Sequence, residues 1–208
     1  MKSSGLDVLP APGPRTGVPT VTLVVSLTLL VIGILWAVAV FGVVQSRAAI
    51  RQDMGLQKLG WREMAWPLPR DGWPAGRAFR CRTASCGEGS ELIIRAKPGF
   101  CNCDTGVTED AEVDRVTDLD LISRRVTPSA PGKAVRFGEF AGRSRSYDLD
   151  LAEGTRQDAI GFALSRRCDV MVAVIRGSVP EPLLQQAARQ FLASIDVQRW
   201  MIGAVAGR

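Results

Sequence analysis

The sequence predicts an α+β protein: an N-terminal transmembrane helix followed by one antiparallel-sheet domain covered by a C-terminal amphipathic helix. Three observations carry this. Between Arg15 and Arg47 there is no charged side chain, and Val21 to Val44 is almost entirely Val, Leu, Ile, Ala and Trp. About 20 such residues cross a bilayer core as a helix. From Ala78 onward, short β-prone runs alternate with Gly- and Pro-containing turns. Near the end, Leu184, Ala187, Ala188, Phe191, Leu192 and Ile195 recur at i, i+3, i+4 spacing, one apolar stripe on a helix.

Composition removes several function classes. The 208 residues carry 26 Lys+Arg against 21 Asp+Glu, a net charge of +5. The acids cluster while the arginines scatter, so the basic stripe with interleaved aromatics of a nucleic-acid binder is missing. Histidine is absent. That excludes Ser-His-Asp and Cys-His nucleophile systems, HExxH peptidase sites and histidine-ligated haem, copper or zinc. A thiolate, a carboxylate pair or a Ser-Lys dyad using Lys58, Lys97 or Lys133 survives, and none has a motif around it. No catalytic residue, cofactor or small-molecule substrate is identified.

Residues 1–17 form a Ser-, Gly- and Pro-rich tail, too polar to fold alone. Residues 18–45 are the membrane helix. The run exceeds a signal-peptide core, and Ala37-Val38-Ala39 mimics a cleavage site only from inside it, which favours an uncleaved anchor in the lipid bilayer. Residues 46–75 read as a juxtamembrane stalk or linker. Trp61, Trp66 and Trp73 there are either lids on the domain or, for Trp61, part of an interfacial aromatic belt. Residues 76–203 are the α+β domain.

Topology pits two signals against each other. Arg47, Arg51, Lys58 and Arg62 follow the span, against Lys2 and Arg15 before it, which by the positive-inside rule keeps the domain in the cytoplasm. The cysteines argue for export. Cys81, Cys86, Cys101 and Cys103 fall within 23 residues, with Cys168 apart. Without histidine they read as disulfides of an oxidising compartment, which places the domain on the periplasmic side of an inner membrane. A four-thiolate metal site on the same residues is the alternative, although C-x4-C followed by C-x-C fits zinc knuckles poorly. Cys101 and Cys103 share a face of an extended strand and must pair outward. A nested scheme, Cys81 with Cys103 and Cys86 with Cys101, is one of three pairings. Cys168, ahead of the most apolar strand, is expected to be a buried, unpaired thiol.

Glu109, Asp110, Glu112, Asp114, Asp118 and Asp120 crowd one stretch. The EF-hand order is absent. The acids read as a solvated face or as partners of Arg115, Arg124 and Arg125, with a divalent cation or basic partner as the alternative. Ala78–Arg82, Glu91–Lys97, Lys133–Phe137, Ser144–Leu151, Ala159–Arg166 and Cys168–Arg176 are expected strands, the last a central one because it is the most apolar. Leu183–Ile195 is the covering helix. Val197–Gly203 is expected to close the sheet, leaving Trp200 and Met201 either in the core or as an exposed partner contact.

Over Lys133–Val197, the hairpin around a glycine turn, then GFALSRRCDVMVAVIRG, then LLQQAARQFLASI resembles the end of the PsbP-like α/β/α sandwich family. The resemblance implies a small exported or lumenal accessory protein that assists a larger membrane complex, and it carries no catalytic motif. The whole chain also resembles single-pass membrane proteins of proteobacteria. Anchor, compact domain and absent chemistry together point to a membrane-tethered binding or assembly protein with a protein partner. The other expectation is a thiol redox or metal-handling protein using Cys81, Cys86, Cys101 and Cys103.

Overall fold

The computed structural model describes residues 55–151 and 154–206, together with Gly33, Ile34 and Trp36, which are helical. The expected transmembrane run otherwise lies outside the described residues, as do the tail and the first part of the stalk. Among the described residues no helix is long and apolar enough to cross a membrane. The chain divides into two compact units, 1–48 and 49–208.

The second unit is α+β, built on one antiparallel sheet of eight strands. These are β1 (Trp61–Met64), β2 (Arg77–Cys81), β3 (Glu91–Lys97), β4 (Arg125–Pro128), β5 (Lys133–Phe137), β6 (Phe140–Asp150), β7 (Arg156–Arg166) and β8 (Asp169–Gly177). Their order is β1-β2-β3-β8-β7-β6-β4, with β5 beside β4 along the same edge of β6. The expected strands are present within a few residues. The apolar β8 is central, between β3 and β7. Its consecutive Val170–Ile175 are all buried because both faces of the sheet are covered.

Three helices do the covering: α1 (Asp110–Val116), α2 (Glu181–Ala193) and α3 (Ile195–Ala206). Alternation along each strand separates two faces. One face presents Phe79, Leu92, Ile94, Ile160, Phe162, Leu164, Met171, Ala173 and Ile175 to α2 and α3. Leu184, Ala187, Ala188, Phe191 and Leu192 of α2 are buried there, the predicted stripe. Phe191 meets Phe79 at 4.8 Å and Trp61 at 5.6 Å, both edge-on. The other face carries Val170, Val172, Val174, Tyr147 and Leu149 beneath α1 and the 3₁₀ turn Asp118–Leu121.

Four expectations are corrected. The stalk segment 46–75 supplies an edge strand, β1, and Trp61 is buried against Phe191 rather than free for a membrane belt. The segment 197–203 lies in helix α3, not in a strand: Val197, Met201 and Val205 repeat every fourth residue and bury one helical stripe. Ile195 leaves the predicted stripe. Helix α2 ends at Ala193, Ser194 turns extended, and Ile195 opens α3 at 74% exposure. Asp110, Asp114 and Asp118 pair with cations of the sheet rather than with Arg115, Arg124 and Arg125.

Candidate functional site

The chemistry-bearing side chains collect on the α1 face and at the hairpin tip beside it. Helix α1 starts on a capping box: Glu112 accepts from the Glu109 amide, and the Glu109 side chain accepts in return from the third helical residue. From there Asp110, Asp114 and Asp118 recur every fourth residue and point at the sheet. Asp110 takes Arg143 at 2.6 Å and the Gly132 amide at 2.8 Å. These bonds, the amide first, hold its carboxyl below the usual carboxylate range. Asp114 takes the Tyr147 hydroxyl at 2.7 Å and Arg145 at 2.5 Å. Burial first, and then the Asp114 carboxylate, push the Tyr147 phenol upward, so it stays protonated.

Asp118 is the deepest of the three. Strand β3 turns Arg95 and Lys97 to this face, both buried. Asp118 accepts from Arg95 Nε at 2.6 Å and Nη2 at 2.5 Å, and from Lys97 Nζ at 2.8 Å. Lys97 also donates to the Val116 carbonyl at 2.7 Å. The remaining side of the guanidinium is met by Asp71, at 2.9 and 2.5 Å, from the strap 65–76. Burial opposes the Arg95 charge, and the two carboxylates more than offset it, raising its pKa. Hydrogen bonding from Arg95 holds Asp71 down to about 2. The strap is pinned by Leu68 over Ala78 and Ile93 and by Trp73 on Phe100 at 5.0 Å. A further ladder crosses the same face, with Glu91 between Arg80 at 2.5 Å and Arg176 at 2.6 Å. In this network two cations face two carboxylates at hydrogen-bond distance, so the arrangement is an internal lock rather than an open anion site. A cleft of about 420 Å³ opens beside it, lined by Asp114, Arg115, Asp120, Val126, Pro128 and Tyr147 among others.

The cysteines divide between the two ends of the sheet. Cys81 and Cys86 are bonded to each other around the turn Ala84–Cys86. Cys103 is bonded to Cys168, with Cα atoms 4.1 Å apart. Cys101 is a free, half-buried thiol. The nested scheme is therefore corrected, and so is the reading of Cys168 as an unpaired thiol. The physical reason is β3: it runs from Glu91, next to Cys81, to Lys97, near Cys101, and its six steps span about 20 Å. Residues close in sequence are held apart by the strand between them. The same separation removes the four-thiolate metal site, since four of the five thiols are consumed in two separate bonds. Among the described residues no three His, Cys, Asp or Glu side chains gather around a common point. Cys101 is pushed up by burial first, then by the Asp169 and Glu112 carboxylates.

Of the two candidate contact residues, Met201 is fully buried in the core and is no surface contact. Trp200 is half-buried, with the Arg77 guanidinium 5.8 Å from its ring. Sequence reasoning passed over Arg95, Asp71 and Tyr147, and it raised Lys97 only as one of three lysines for a Ser-Lys dyad, whereas Lys97 is bonded to Asp118 and the Val116 carbonyl. Their signal was present: charges at alternate positions of an otherwise apolar strand, and acids spaced by four opposite them. No family model matches the chain, and no curated protein matches it.

Proposed function

We propose that the protein is a membrane-anchored accessory or binding protein, exported to the periplasmic face of an inner membrane, that contacts or helps assemble a larger membrane complex without catalysing a reaction. The observation that carries this is the pairing of four cysteines as two disulfides, Cys81–Cys86 and Cys103–Cys168, in the unit that follows an uncharged apolar run of membrane-spanning length. Disulfides persist on the exported side, and they outweigh the basic cluster from Arg47 to Arg62. Helices on both faces of an antiparallel sheet support the resemblance to PsbP-like accessory proteins. The buried polar groups of the α1 face, Arg95, Lys97 and Asp118, are bonded to one another, which supports a structural role for them. Trp200 and the exposed Ile195, both on α3, are the side chains offered to a partner.

Paired carboxyl-terminal fusions test the topology, one reporter active only outside the inner membrane and one only inside. Activity of the outside reporter is expected. Activity of the inside reporter alone overturns the reading, because the thiols would then remain reduced.

A further inference from the structure

The cysteines at the tip of the β7–β8 hairpin form a connected set of three. The turn between the strands is Arg167-Cys168, and Arg167 has a φ of 59°. Cys103, exposed, is bonded to Cys168. Cys101 lies against the same two residues: its amide donates to the Cys168 carbonyl at 3.4 Å, and its Sγ donates to the Arg167 carbonyl at 3.4 Å. Bond lengths then limit the Cys101–Cys168 Cα separation to about 7 Å. A disulfide spans about 4.4–6.8 Å, so that bound lies at the edge of disulfide range, and a small movement of the Cys101 segment toward the turn suffices to make Cys101 a second partner for Cys168. Asn102 separates the rivals. Its side-chain oxygen accepts from the amides of Asp104 and Thr105, and its carbonyl from Gly106, which turns Cys103 out toward solvent.

We propose that Cys101, Cys103 and Cys168 form a thiol–disulfide exchange site, in which Cys168 alternates between Cys103 and Cys101. The Cys101 thiol loses its proton, and the thiolate attacks the Cys168 sulfur in line with the existing bond. The Cys101–Cys168 bond forms, the Cys103–Cys168 bond breaks, and the electron pair leaves on Cys103, which takes up a proton. The step is redox-neutral and needs no outside oxidant. Its product has the half-buried cysteine locked and an exposed thiol at Cys103. That thiol is the group presented to a disulfide-bearing partner. Burial and the facing carboxylates of Asp169 and Glu112 keep Cys101 protonated at rest, which makes the exchange slow.

The site is read on the full oxidised chain in mild detergent, held at about pH 8.5 where thiolates form, then denatured and labelled with a maleimide. Fragmentation between Cys101 and Cys103 locates the label. A sample labelled at zero time should carry it on Cys101 alone, and incubation should move a growing fraction to Cys103. Label confined to Cys101 after incubation overturns the proposal and leaves the exported reading intact. Five labelled thiols would overturn both. The variant Cys103→Ser supplies an independent readout: air oxidation should join Cys101 to Cys168 and leave no free thiol. Two persistent free thiols in that variant would overturn the exchange.

Discussion

The two faces of the sheet are built from the same strands and held by different forces. Along β3, Leu92, Ile94 and Ala96 point to α2 and α3, whereas Arg95 and Lys97 point to α1 and the strap. The α2/α3 face is an aromatic and aliphatic interlock around Phe191. The α1 face is a set of assigned ion pairs: Asp110 with Arg143, Asp114 with Arg145, Asp118 with Arg95 and Lys97. Apolar packing is non-directional and scales with buried area. Ion pairs offset their own desolvation and add little net stability, but each is costly to break singly. The larger apolar cluster sits on the α2/α3 face, while the α1 face adds to its smaller clusters around Val113, Val116 and Leu119 the ion pairs that set the register of the acidic helix.

The largest expected effect is on the apolar face. Phe191→Ala removes a buried ring from between Phe79 and Trp61 and should cost about 3–5 kcal/mol. Gln190→Ala, on the exposed side of the same helix, should leave the melting temperature unchanged. Equal melting temperatures for the two variants would break the comparison at its strong side. Next is Asp118→Ala, which strands Arg95 and Lys97 in a buried site and should cost about 3 kcal/mol. The charge-free triple variant Arg95→Met, Lys97→Met, Asp118→Leu should recover most of that loss in chemical denaturation. If the triple variant is no better than Asp118→Ala, the ion pairs carry net stability and the two faces are held by more similar forces.

A third, smaller effect is acid loosening of the strap. The folded-state pKa of Asp71 is lowered to about 2, against about 3.9 for a free Asp. A lowered folded value stabilises the fold above the unfolded pKa, and that contribution is lost as pH falls through the folded one. The strap should therefore release between about pH 4 and about 2, while the apolar face, which holds no comparable carboxylate lock, stays packed. Amide exchange should rise at Gly72 and Trp73 before it rises in α2. Asp71→Asn should abolish that early step, and simultaneous release of both regions would show that the faces do not open separately.

The difference between the faces also decides what was legible in the sequence. The α2 stripe followed from periodicity, and β3, β7 and β8 from short apolar, β-prone runs bounded by turn residues. The ion pairs were half legible. Spacing by four marked Asp110, Asp114 and Asp118 as one helical side, but their partners lie on strands at least 21 residues away in sequence. Nearby arginines were the wrong choice because Arg115 stacks on Phe100 and Arg125 pairs with Asp150. The disulfides were illegible for a related reason. Closeness in sequence suggested that Cys81, Cys86, Cys101 and Cys103 form one cluster, and the length of β3 separates them, while the β7–β8 turn delivers Cys168 to Cys103 across 65 residues.

The smallest expected effect sits at the tip where the polar face is tied to the sheet. Gly99 donates to Asp169 at 2.8 Å, Cys101 to the Cys168 carbonyl, and Cys103 is bonded to Cys168. The turn between them holds Arg167 in the left-handed region, the one described non-glycine residue with positive φ. The β5–β6 hairpin solves the same two-residue turn with Gly138, at a φ of 58°. A side chain in that region costs roughly 1–2 kcal/mol, and glycine returns part of that gain as extra freedom in the unfolded chain. Arg167→Gly should therefore stabilise by about 0.5 kcal/mol, a rise of about 1–2 °C for a domain of this size. A fall in melting temperature would mean that the Arg167 side chain makes contacts worth more than the strain. A rise confined to the tip, read by slower exchange of the Gly99 and Cys101 amides, would show the polar face to be fastened chiefly through this hairpin.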